Sequence, residues 1–135
     1  MNMATSEQFF MATQALQNFE GLRNDIRTNA LAYQNDVASS RLTVAQTQQI
    51  AREDAVQYKK RLKWVRDILD APARKTRLLA GLAIIGVTET EMGDAYAEMI
   101  SVANPLATVT WTDAASVNTT VGQILAAVPA HDRVF

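Results

Sequence analysis

The fifty residues 22–71 contain neither glycine nor proline. Hairpins and loops draw on those two residues for their special backbone angles, so so long a stretch without them belongs to helices. The apolar period agrees. Phe9, Ala12, Leu16, Phe19, Arg23, Ile26, Ala30, Tyr33 and Val37 step by three and four alternately, with Arg23 the one polar break in the seam. A second series runs Val44, Gln48, Ala51, Ala55, Tyr58, Leu62, Val65 and Leu69, with Gln48 as its break. The two series are out of phase, and the slip falls on Ser39-Ser40-Arg41-Leu42-Thr43. Thr43 and Gln46 have the spacing of a capping box, in which hydroxyl and amide satisfy orphan backbone N–H groups. The pattern predicts a coiled-coil-like hairpin, with helices over about Ser6 to Ala38 and Val44 to Asp70. One continuous helix carrying a heptad stutter also accommodates it.

The rest of the chain reads as a small cap of shorter helices, which makes the expected fold all-α: a hairpin over 1–70 and a cap over 71–135. Asp70-Ala71-Pro72 reads as an N-cap followed by proline in a first turn. The helix it opens runs to about Ile85 and stops at Gly86, a left-handed C-cap. Thr88 to Glu91 is a second capping box, opening a helix over about Glu89 to Ala103 that Asn104-Pro105 ends. Residues 106–112 form an extended segment. Within it Thr108-Val-Thr-Trp-Thr112 alternates polar and apolar like a short strand, either paired with another subunit or serving as a connector. Asp113 caps a last helix through Val117, Val121, Ile124, Leu125 and Val128, and Pro129 stops it. Residues 130–135 form an irregular tail.

A two-helix hairpin buries one stripe per helix, yet Phe10, Met11, Leu22 and Leu31 lie off the first seam, and Trp64 and Ile68 off the second. Either the C-terminal half covers them or they form a subunit interface. The interface is the expectation, because Trp and Phe are favoured anchors there.

Composition removes whole classes of function. Without cysteine there is no disulfide framework, thiolate metal site or cysteine nucleophile. One histidine, His131, makes a Ser-His-Asp triad or a multi-histidine metal site hard to build. The longest uncharged apolar run, Leu78 to Thr88, is about half of the roughly 20 residues a membrane span needs. The first nineteen residues lack the basic start and cleavage site of a secretory signal, so the chain is expected in a reducing cytosol. No cofactor, metal or small-molecule substrate is expected.

A formal net charge of −1 argues against a surface that grips nucleic acid all round. The charge is unevenly spread, however. Lys59, Lys60, Arg61, Lys63, Arg66, Arg74, Lys75 and Arg77 face only Asp67 and Asp70 within 59–77. Lys59, Lys63 and Arg66 share a helix face, with Trp64 beside them, and that combination suits either a phosphate backbone or an acidic protein face. Two other patterns are weaker. Gly81 to Thr88 has the glycine spacing of a phosphate-binding loop, but Val87 stands where lysine is needed and the context is helical. Glu91, Asp94 and Glu98 share a face without the spacing of a calcium loop or an iron-carboxylate pair, and read as a solvated acidic surface.

No convergent acid, base and nucleophile emerges, so the expected role is non-enzymatic. The short, cysteine-free chain is rich in Ala (22), Thr (13) and Asn plus Gln (16), with a helical hairpin and a mixed tail. In this general style it resembles small virion proteins of tailed bacteriophages: head–tail adaptors, other portal-associated proteins and internal virion proteins. The resemblance is one of type and transfers no site. It implies a ring or array of copies contacting other virion proteins, with the basic segment near packaged DNA. The alternative is a small nucleic-acid-associated or regulatory helical protein that works through 59–77.

Overall fold

The computed structural model describes residues 6–128, and of Phe9, the first seam residue, its backbone only. Pro129 and the tail, His131 included, lie outside the described residues. The fold is all-helical, with α1 Ser6–Ala38, α2 Val44–Leu69, α3 Pro72–Ile84, α4 Glu89–Leu106 and α5 Ala114–Ala127.

Local signals account for most helix ends. Thr43 and Gln46 close a reciprocal capping box at the start of α2, as do Thr88 and Glu91 at α4 and Asp113 and Ser116 at α5. Gly86 has φ +76°, Val87 N–H reaches Leu82 C=O and Gly86 N–H reaches Ala83 C=O. Together these bonds form a complete Schellman stop to α3. The same motif ends α1, where Ser40 occupies the left-handed position at φ 58° and Arg41 N–H reaches Asp36 C=O.

Three ends differ from expectation. Asp70 closes α2, accepting the Arg66 ion pair at 3.4 Å, while Ala71 is the uncapped N-cap of α3. The two helices are so tightly joined that no residue remains for a separate cap. Pro105 lies inside α4, which runs on to Leu106. Proline near a C-terminus gives up one hydrogen bond, and Ala107 N–H still reaches Ala103 C=O past it. No strand forms among the described residues. Residues 109–112 have no regular secondary structure, and Val109 C=O and Trp111 N–H are held by side chains instead of a second strand.

Helices α1 and α2 run antiparallel, tied by a descending set of pairs. Asn18 Nδ2 donates to Arg61 C=O, Arg61 pairs with Asp25 at 2.6 Å, Asn29 Nδ2 donates to Tyr58 Oη at 2.6 Å, and Tyr33 Oη donates to Asp54 at 2.5 Å. The shorter helices do not sit at one end as a separate cap. Helices α3 and α5 pack on α1, and α4 packs on α2. Buried residues of all five helices form one continuous cluster, with Phe19, Leu22, Leu62, Leu82, Met99 and Val121 among its fully enclosed members.

Both breaks in the apolar seams are ties to this second layer. Arg23, buried in α1, meets Glu98 of α4 at 3.4 Å. Gln48 Oε1 accepts the backbone N–H of Trp111 at 2.6 Å. One turn further along α2, Arg52 Nε donates to Val109 C=O at 2.8 Å. Arg27 Nη1 reaches Val128 C=O at 2.8 Å and Leu125 C=O at 3.3 Å, so a side chain of α1 satisfies the open carbonyls at the end of α5.

Candidate functional site

The six off-seam apolar residues separate by location. Leu22 and Ile68 are buried in the chain's own core, and Met11 is half-buried against it. Helix α1 is flanked by α2, α3 and α5, so its buried arc is wider than one stripe and takes in Leu22. Ile68 sits one turn before the α2–α3 junction. These two residues are therefore withdrawn from the candidate interface. Phe10, Leu31 and Trp64 remain exposed, at 61%, 49% and 40%.

The folded chain adds exposed apolar side chains that the sequence reading did not single out: Ile50 and Val56 on α2, and Ile84 and Ile85 at the end of α3. Ile50 lies two heptads before Trp64, outside the seam, and that spacing was the available signal. Around Leu31 the outer face of α1 forms a shallow open depression with Thr28, Ala32, Asn35 and Ala38, built by one helix alone.

The basic corner keeps its charge but not its freedom. Arg61 is paired with Asp25, Lys63 with Asp67, Arg66 with Asp70, Lys75 with Glu89 and Arg77 with Glu7, at 2.6 to 3.4 Å. Among the described residues no carboxylate pairs with Lys59, Lys60 or Arg74. Surface ion pairs are worth about 0–1 kcal/mol, so a phosphate can displace them, but the local excess is smaller than the sequence window implies. The acidic face of α4 also dissolves into separate tasks. Glu91 closes the cap and Glu98 holds Arg23.

Gly81 is a packing residue. A Cβ there would stand 2.2 Å from the backbone oxygen of Gln8, so α3 lies directly on α1 with no cradle for a phosphate. A groove of about 210 Å³ between α4 and α5 is lined by Val102, Pro105, Leu106, Val109 and Ile124, with Ser101, Thr120 and Gln123 as its polar members. None of its lining groups titrates near neutral pH. No group of three or more His, Asp or Glu side chains is placed to hold a metal ion among the described residues. No described helix is long and apolar enough to cross a membrane.

The strongest internal electrostatics lie between α1 and α2. Tyr33 and Tyr58 are both 3% exposed, and burial is the largest factor raising each phenol above its usual range. Burial likewise raises the Asp54 carboxyl, against the lowering effect of the Tyr33 hydrogen bond. Tyr33 also packs on Trp111, ring centroids 5.8 Å apart and tilted by 55°. The indole N–H of Trp111 donates to Thr120 Oγ1 at 2.9 Å. This network ties α1 to α2 and to the segment before α5 through partly buried hydrogen bonds.

Comparison with known protein families, with curated proteins and with solved structures finds no match to this chain.

Proposed function

We propose that the chain is a non-enzymatic structural subunit of a larger assembly, homo- or hetero-oligomeric, of the type found as head–tail adaptors, portal-associated or internal proteins in tailed-phage virions. One observation carries the assembly reading. After its core has closed, the chain still exposes Phe10, Leu31, Ile50, Val56, Trp64, Ile84 and Ile85 on the outer faces of three helices. Single exposed apolar residues are ordinary, but aligned ones on long helices mark contact surfaces. The coiled-coil-like α1–α2 pair is then a stiff platform, about 50 Å along α1, presenting those residues. The virion assignment rests on the resemblance in sequence style alone.

A second reading keeps Lys59, Lys60 and Arg74, the cations of the 59–77 segment without a carboxylate partner among the described residues, as contacts to nucleic acid beside exposed Trp64. Light scattering at two salt concentrations, with and without duplex DNA, separates the two. A salt-tolerant oligomer indifferent to DNA supports the assembly subunit. A monomer that gains mass only with DNA at low salt supports the second reading. A monomer indifferent to both overturns the homo-oligomer and the DNA contact together, leaving a subunit that assembles only with a different protein.

A further inference from the structure

The outer face of α2 carries a self-complementary pattern. Ile50, Glu53, Gln57, Lys60 and Trp64 step by three, four, three and four, and at 100° per residue they fall within an arc of about 80°. All five side chains are exposed, and the buried residues Ala51, Ala55, Tyr58, Leu62 and Val65 lie on the other side of the helix. Ile68, one turn beyond Trp64 on the stripe's own face, is buried in the chain's core and ends the stripe there. Glu53 accepts only a neutral hydrogen bond, from Gln49 at 3.0 Å, and neither Glu53 nor Lys60 has an ion-pair partner among the described residues. Being seven residues apart on one helix, they cannot pair with each other.

We propose that this face is where two copies of the chain dock, α2 against α2, antiparallel about a two-fold axis beside Gln57. The inference rests on the assembly reading and specifies its surface. In that arrangement Ile50 faces Trp64 of the second copy and Glu53 faces Lys60, each pair occurring twice, as a two-fold contact requires. A parallel pairing in register sets Glu53 on Glu53 and Lys60 on Lys60, so charge selects the antiparallel form. The stripe is about 21 Å long, shorter than most obligate interfaces, so the dimer is reversible and concentration-dependent.

The absence of native cysteine makes the test direct. Gln57→Cys introduces a sole thiol beside the axis, and Asn118→Cys places one on exposed α5 as a control. Under mild oxidation Gln57→Cys is expected to form a covalent dimer quickly at concentrations where Asn118→Cys stays monomeric. By sedimentation equilibrium Glu53→Lys and Lys60→Glu should each weaken the dimer about tenfold, through two reversed ion pairs. The combined Glu53→Lys/Lys60→Glu chain should recover it, with helicity by circular dichroism unchanged throughout. An oligomer that forms without Gln57 cross-linking, or ignores both reversals, overturns the docking face and leaves the assembly reading standing. A chain that stays monomeric at every concentration overturns the docking face and self-association together.

Discussion

The side-chain oxygen of Gln48 accepts the backbone N–H of Trp111 at 2.6 Å, across a gap of 63 residues. That bond, with Arg52 on Val109 C=O, gives the 109–112 segment the partners another strand would supply. It also sets the Trp111 ring against Tyr33.

Replacing Gln48 by Ala should therefore loosen one segment and spare the helices. A half-buried N–H left without its acceptor costs about 1–3 kcal/mol. The expected result is a drop in unfolding free energy of that order, faster amide exchange confined to residues 109–113, and a changed near-ultraviolet signal from Trp111. Unchanged exchange at Trp111 would show that the segment is held by something else.

Gly81 and Gly122 are both helical, and alanine should move stability in opposite directions at the two. At Gly122 a new Cβ meets nothing within 4 Å, so Gly122→Ala gains helix propensity, about 0.5–1 kcal/mol. At Gly81 the new methyl collides with the backbone oxygen of Gln8 and the Cβ of Ala12. Gly81→Ala should cost about 1–3 kcal/mol net by urea unfolding, because α3 must move off α1.

Ser40 is the one non-glycine described residue at positive φ, in the Schellman stop of α1. The left-handed region costs an L-residue about 1–2 kcal/mol. Ser40→Gly relieves that strain but adds freedom to the unfolded chain, so a gain of about 0.5–1 kcal/mol is expected in thermal unfolding. A loss would mean that the serine side chain holds the turn.

Most helix termini were legible in the sequence because their causes are local. The Thr43 and Thr88 boxes and the Gly86 stop each lie within a few residues of the end they define. The breaks at Arg23 and Gln48 were visible as breaks, but their partners Glu98 and Trp111 are 75 and 63 residues away, and nothing local points to them. Off-seam apolar residues pose the same problem. Leu22 and Leu31 are nine residues apart, half a revolution around α1, so one neighbour cannot cover both. Which is covered depends on where α3 and α5 fold back, which is tertiary information. The docking stripe on α2 was hidden differently, because its Glu, Gln and Lys make it read as an ordinary solvated face.

The tyrosine network sets a limit on alkaline stability. Burial raises the Tyr33 phenol well above its ordinary 10.0 and moves the Tyr58 phenol in the same direction, so each holds its proton more tightly in the folded chain than in the unfolded one. The folded state then binds more protons than the unfolded one, and stability must fall as pH rises past 10. Tyr33 contributes a slope that approaches about 1.4 kcal/mol per pH unit above pH 10, and Tyr58 adds to it in the same direction. Urea unfolding at pH 9, 10 and 11 should show this decline, with tyrosinate absorbance of Tyr33 appearing only as the fold is lost. Tyr33→Phe should lower stability at neutral pH, since Asp54 loses its donor at 2.5 Å, and should reduce the alkaline slope, because the more strongly shifted phenol is gone. A Tyr33→Phe chain with the wild-type slope would place the proton linkage outside this network.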